Sequence, residues 1–350
     1  MVITNANMFE GFIRVKNKSN KVNEIKLPWV EKYRPTNSEQ ILLDPFIKTK
    51  IDKILETKNI PNLIITGEPG TGKTSTIICL AKQIYNEKQY NEYVLELNAS
   101  DDRGLFMINN TIYPFCKKKT DGTNKLIILD ECDSITTKAQ NLLANIISEF
   151  RKNTRFVFIC NDCTKIIESI QSICMIIKYP RISKQDLYFK IHDICIKENV
   201  EYDEEGIENL LFISDMDIRQ SINNLECIYY TFGKLSTDNI YIMIDKPKPI
   251  YIEQIINDCL NGNLIEAIEI TKELYLKGYY PNDILLTFMK CLLEKDLKIK
   301  ETTKLKIHEI ISLSYIRVNG GIDTLLQLYG CIAKIYLFLG PSPNGNIEIL

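Results

Sequence analysis

Gly67-Glu68-Pro69-Gly70-Thr71-Gly72-Lys73-Thr74 is the run with the clearest chemical purpose. It fits G-x-x-x-x-G-K-[ST], lying between an apolar strand pattern and a helical one. Glycines at these positions let the backbone bend so that its N–H groups converge on phosphate oxygens, and the following helix N-terminus favours an anion. Lys73 would reach the β- and γ-phosphates, and the Thr74 hydroxyl would bind Mg²⁺. Thr76, on the first turn of that helix, is a further candidate nucleotide contact.

A second run, Leu126-Ile127-Ile128-Leu129-Asp130-Glu131-Cys132-Asp133, is an apolar strand ending in acids. After a phosphate loop, the acid ending such a strand holds Mg²⁺, which assigns Asp130. Glu131 is placed to polarise an attacking water as general base. Asp133 reads as a cap for the helix that follows. In Arg155-Phe156-Val157-Phe158-Ile159-Cys160-Asn161, the terminal amide would lie beside the other two sites, where Asn161 could bond the water or the γ-phosphate. Taken alone it reads as a turn asparagine.

Positioning these groups requires parallel strands whose C-terminal ends share one edge. Leu63–Thr66, Tyr93–Leu97, Lys125–Asp130, Arg155–Cys160 and Cys174–Ile177 read as strands alternating with helices, which implies βαβ units. The pattern predicts a nucleotide-binding α/β domain over 26–179, behind a loose Asn/Lys-rich tail over 1–25. Beyond Pro180 the strand signals stop. Ser183–Asn199, Asp203–Ile213 and Asp217–Thr231 have helical spacing, predicting a helical lid over 180–245. Lys246-Pro247-Lys248-Pro249 reads as a linker. A further helical domain over 250–350 is broken at Gly262, Pro281 and Gly320-Gly321.

Composition narrows the function classes. The 350 residues carry 43 Lys+Arg against 45 Asp+Glu, a net charge of -2, which excludes coating DNA by bulk charge but leaves room for a local basic surface. The opening residues lack the apolar stretch of a secretory leader, and no run is long and apolar enough to span a bilayer. The 11 cysteines therefore read as reduced thiols. Cys160-x-x-Cys163 lacks the second ligand pair a zinc site needs. His192 and His308 stand far apart without a nucleophile motif, and no Ser-His-Asp or glycosidase-type constellation is present.

Val30-Glu31-Lys32-Tyr33-Arg34-Pro35, the Gly67–Thr74 loop, Leu97-Asn98-Ala99-Ser100-Asp101-Asp102-Arg103-Gly104, Asp130–Asp133 and Ile159–Asn161 occur in that order. Together they resemble the small subunits of replication factor C, the sliding-clamp loader, from about Leu27 to Tyr230. The resemblance implies an AAA+ P-loop NTPase domain with a parallel sheet, an all-helical lid and an all-helical collar joining subunits in a hetero-pentameric ring. It implies ATP and Mg²⁺ as ligands, and a PCNA-type clamp and primer–template DNA as partners, the DNA bound through phosphates without sequence preference. It places the chain in the nucleus or wherever DNA is replicated, including the cytoplasm or a viral factory.

By the same resemblance Asn161 matches sensor 1. Arg219, in Ser214-Asp215-Met216-Asp217-Ile218-Arg219, matches the lid arginine that reaches the γ-phosphate; without the resemblance it is a surface helix arginine. Val30, Tyr33, Arg34 and Pro35 match a segment near adenine, or simply staple an ordered linker. Arg103 matches a position facing the DNA channel, and Lys117 and Lys118 follow close behind, in a run that also reads as a solvated loop. Ile112, Tyr113 and Phe115 fall near the clamp; they read equally as an aromatic anchor or as core.

Two departures stand out. The family's Ser-Arg-Cys, whose arginine enters the neighbour's ATP site, is here Ser172-Ile173-Cys174. Its paired arginines on the helix after the acidic strand are here Ala144 and Asn145. Arg151 or Lys165 could substitute for them. The competing expectations are a ring subunit that binds ATP with little turnover, and a different AAA+ DNA-processing ATPase.

Overall fold

The computed structural model describes residues 27–37, 40–100, 104–119, 122–294 and 299–339. The tail over 1–25 and Arg103 lie outside the described residues.

A five-stranded sheet organises the first part: β1 (Leu63–Gly67), β2 (Val94–Asn98), β3 (Lys125–Asp130), β4 (Thr154–Cys160) and β5 (Met175–Tyr179). Every pairing is parallel, in the order β2-β3-β4-β1-β5. Alternate residues enter two separate cores. Ile64, Ile127, Leu129, Phe156 and Phe158 pack on one face. Leu63, Ile65, Leu126, Ile128, Val157 and Ile159 pack on the other. Burial on both faces is why these strands read as continuous apolar runs rather than alternating ones. With β4 between β3 and β1, the C-terminal ends of the three motif-bearing strands adjoin. Asp133 does not cap a helix. It lies inside the short 3-10 turn Cys132–Ser134, and Thr136 takes the N-cap position of the helix Thr137–Glu149.

The segment that the resemblance assigns to a lid holds helices Lys184–Glu198, Glu204–Ile213, Ile218–Phe232 and Thr237–Ile244. Its helices start and stop on local signals. The Ser183 hydroxyl accepts from Asp186 N, the Asp217 carboxylate from Arg219 N, and Asn199 ends the first helix at φ 53°. Strands do not cease entirely after Pro180. A two-residue parallel pair, β6 (Glu201–Tyr202) with β7 (Lys234–Leu235), closes the lid's far side. Trp29, on the four-residue helix Trp29–Lys32, is 3 % exposed and belongs to the lid core, beside Leu187, Ile191 and Leu225. Its backbone N–H donates to Glu226 Oε2 at 2.9 Å. Trp29 is thus built into the lid core.

Among the described residues, five helices follow: Pro249–Leu260, Leu264–Leu276, Pro281–Glu294, Glu301–Asn319 and Leu325–Leu339. They share one apolar core including Ile255, Phe288, Ile311 and Ile332. Pro249 and Pro281 open helices, where a missing N–H costs nothing, and Gly262 turns at φ 87°. Among the described residues no helix is long and apolar enough to cross a membrane.

Candidate functional site

The loop after β1 turns through Gly70 at φ 75° and Gly72 at φ 81°, a left-handed conformation that suits glycine, and delivers Lys73 to the first position of the helix Lys73–Ile84. The Lys73 ammonium donates to Gly67 O and Glu68 O, each at 2.7 Å, and to Asn161 Oδ1 at 3.0 Å. It is 8 % exposed. Burial pushes its pKa down, Asp130 works against that shift, and the nearby Arg219 guanidinium adds to it. Two cations crowding one small volume make a site that gains from an anion.

Thr74 Oγ1 donates to Asp130 Oδ2 at 2.8 Å. These are adjacent hard oxygen donors, the set that suits Mg²⁺. Glu131 follows at φ 55°, its N–H donating to Asp130 Oδ1 at 2.9 Å and its side chain exposed. A bulky residue held in the left-handed region carries strain. Here the turn separates the two carboxylates, leaving Asp130 beside Thr74 and Glu131 free to meet solvent.

These groups open into a cavity of about 320 Å³. Its polar end is lined by Lys73, Thr74, Asp130, Glu131, Asn161 and Arg219. Val30, Tyr33, Arg34, Ile41, Ile182 and Ile218 also line the cavity, adding apolar and aromatic surface. Tyr33 is fixed by donating to Glu198 Oε1 at 2.5 Å, and burial together with that carboxylate raises its pKa.

The match to known proteins follows this division of labour. Residues 63–180 match the AAA family model, "ATPase family associated with various cellular activities", and residues 247–334 match the replication factor C C-terminal domain. A replication factor C small-subunit sequence of Acanthamoeba polyphaga mimivirus is 39 % identical over 311 residues, covering 88 % of this chain and 96 % of that protein. Replication factor C subunit 4 of Saccharomyces cerevisiae is 37 % identical over 321 residues, covering 90 % and 98 %. The chain belongs to the replication factor C small subunits. Replication factor C subunits are clamp-loader components, and the AAA domain makes this one an ATPase. A Thermotoga maritima RuvB structure shares the fold, with a TM-score of 0.51 at 14 % identity over 65 % of this chain and 79 % of that one.

Against the replication factor C pattern, the nucleotide motifs converge and some of the peripheral assignments do not. Pro69, Gly70, Thr71 and Gly72 line the cavity. Thr76 does not; it is 1 % exposed and its hydroxyl donates to Gly72 O at 2.8 Å, bracing the helix start. Gly67 serves packing. A Cβ there would sit 2.7 Å from Tyr179 O of β5. Glu68 turns outward to Arg181 Nε at 2.6 Å. Ile112 is fully buried in the sheet-domain core, so it is not an exposed anchor. Tyr113 and Phe115 pack partly against the same core. Lys117 and Lys118 are exposed. Ile173 is 40 % exposed and Asn145 is exposed, while Ala144 packs partly into the core.

Three features escaped sequence reasoning. Lys190, half-buried on the first lid helix, lines the cavity, and burial lowers its pKa. Nothing local distinguishes it from other helix lysines. The Asp217 carboxylate sits so close to Gly70 that a Cβ on that glycine would lie 2.0 Å from Asp217 Oδ1. Leu105 and Phe106, 43 % and 65 % exposed, are the apolar side chains that the segment before Ile112 leaves open to solvent.

Proposed function

We propose that this chain binds Mg²⁺-ATP in the cavity between sheet and lid. There it acts as a hydrolysing subunit of a hetero-pentameric ring that loads a PCNA-type clamp onto primer–template DNA. The observation that carries the reading is the convergence of Lys73, Asn161, Thr74 and Asp130 through direct hydrogen bonds, with Arg219 on the facing lid. Phosphoryl transfer needs little beyond positioning and charge stabilisation, and this set supplies both.

The roles follow from the contacts. Lys73, released from its backbone carbonyls, pairs with the β- and γ-phosphates. Thr74 and Asp130 would hold Mg²⁺, which neutralises charge on the phosphate oxygens. Glu131 accepts a proton from the attacking water, and Asn161 orients that water or the γ-phosphate. Arg219 gains a charged partner only when a γ-phosphate is present, which couples lid position to nucleotide state. Val30, Tyr33 and Arg34 flank the base.

Lys117 and Lys118, with Arg103, are the candidate phosphate contacts on DNA, so binding weakens steeply with salt. Tyr113 and Phe115 remain the candidate clamp contacts. All 11 cysteines are free thiols, consistent with a reducing compartment where DNA is replicated: the nucleus, cytoplasm or a viral factory.

The test is ATPase activity of the assembled ring with and without clamp and primed DNA, for wild type and Lys73→Ala. Stimulation by clamp plus DNA that falls with Lys73→Ala is the expected result. Stimulation unaffected by the substitution would reduce this chain to a structural ring member. No assembly and no clamp response would shift the reading to another AAA+ machine.

A further inference from the structure

The turn that precedes Arg219 is held from both sides, and one side is the collar. Asp215 and Met216 are consecutive non-glycine residues at φ 53° and 58°. Side-chain-bearing residues keep that conformation only where their surroundings fix it. The fixing contacts are specific. Met216 N donates to Leu211 O at 3.2 Å and Asp217 N to Ser214 O at 2.9 Å. The buried Ser214 hydroxyl accepts from Asn224 Nδ2 at 3.1 Å.

The remaining contacts come from outside the lid. Phe212, one turn earlier, packs against both the lid core and the collar core. Lys246, in the linker, donates to Ile213 O at 3.2 Å, so it caps the end of the helix Glu204–Ile213. Lys290, on the collar helix Pro281–Glu294, forms an ion pair with the Asp215 carboxylate. Two residues on, the Asp217 carboxylate accepts from Arg219 N at 2.8 Å while lying against Gly70 of the phosphate loop. Collar, strained turn, helix cap and phosphate loop thus form one continuous path of contacts only a few residues long.

We infer that Lys290 is a positioning residue for the ATP site: by pairing with Asp215 it holds the 214–217 turn in the register that aims Arg219 at the γ-phosphate. The collar thereby biases recognition of the third phosphate rather than nucleotide binding in general. Lys73, Val30, Tyr33 and Arg34 lie on segments outside this turn, so ADP affinity should register its loss far less than affinity for the ATP analogue. This inference rests on the reading of Arg219 as a γ-phosphate contact.

The experiment uses the full-length chain and measures equilibrium affinity for a non-hydrolysable ATP analogue and for ADP, both with Mg²⁺, alongside thermal melting. Arg219→Ala is the reference, expected to erase most of the preference for the ATP analogue. Lys290→Ala should lower the ratio of the two affinities about three- to fivefold, the scale an ion pair near the surface supports, with ADP affinity kept. Lys290→Arg should preserve the ratio. The exchange of charges, Asp215→Lys with Lys290→Asp, should restore it.

An unchanged ratio in Lys290→Ala, equal loss of both nucleotides, or a charge exchange that fails to restore the ratio would each overturn the inference. Should Lys290→Ala melt at the assay temperature, Asp215→Asn removes the same pair from the more exposed side and is held to the same outcomes. A ratio lowered by Arg219→Ala but not by Lys290→Ala or Asp215→Asn defeats the collar inference alone. A ratio untouched by Arg219→Ala defeats the underlying reading of the site and the inference with it.

Discussion

Two edges of the sheet domain are supported with similar care and furnished very differently. At the nucleotide edge, Lys73, Asp130, Asn161 and Arg219 all face one cavity, each reaching it from a different element. The region over 137–174, which the family resemblance assigns to the neighbouring subunit, is equally well built. Gln140, 2 % exposed, donates to Ile135 O and Lys165 O at 3.0 Å and accepts from Ile167 N at 2.8 Å. Gln171 donates to Cys163 O at 3.0 Å and Ile166 O at 2.6 Å. Yet the scaffold presents Ile173 and Asn145 where the family resemblance implies arginines. The difference is that the cavity gathers several charged groups of this chain, while position 173 offers a neighbour an apolar side chain. The chain is equipped to use its own ATP, and an isoleucine cannot stabilise charge developing on another subunit's phosphate.

The largest effect expected is from Glu131→Gln. In the ring it should keep ATP binding and lower turnover at this chain's site about 10²- to 10³-fold, as loss of a general base does. Site-resolved hydrolysis in a ring carrying only this change measures it. Turnover near the wild-type level would mean that the nucleotide edge does not work as drawn.

Ile173→Arg sharpens the contrast from the other side. It should raise hydrolysis at the adjoining subunit's site at least about tenfold, a small share of what an arginine finger can supply. No gain, in a ring that assembles normally, would mean that Arg151 or Lys165 already fills the role or that the interface needs none.

The smallest effect concerns the scaffold. Gln140→Leu removes the buried amide that bonds Ile167 N and the Ile135 and Lys165 carbonyls, and should lower stability by about 1–3 kcal/mol in denaturant unfolding of the whole chain. A loss under about 0.5 kcal/mol would show that the framing of that edge does not depend on the amide.

The pattern of what could be foreseen has a physical basis. The phosphate loop, the acidic strand end and Asn161 are contiguous runs whose function dictates local sequence, and the five strands are legible because both faces are buried. Thr76 was misread because spacing places a side chain on a helix without saying whether that face meets ligand or core. Ile112 stood between core and anchor for the same reason, and burial decides it. Lys190 and the approach of Asp217 to Gly70 join segments more than a hundred positions apart. Such contacts leave no periodicity, since either partner alone is an ordinary surface residue. Trp29 in the lid core belongs to this group as well.

That tryptophan has a mechanical consequence. The lid is fastened to the sheet domain by two straps of chain. One is the direct connection from β5 through Pro180. The other runs back from Trp29 to Pro35, whose carbonyl accepts from the Cys79 thiol at 2.9 Å on the phosphate-loop helix. A body held at one point can swivel in any direction; a body held at two can swing only about the line that joins them. Val30, Tyr33 and Arg34 lie on the second strap, so a turn of the lid would carry this wall of the cavity with it. A movement of the lid would then shift this wall and Arg219 in a single stroke, not in succession.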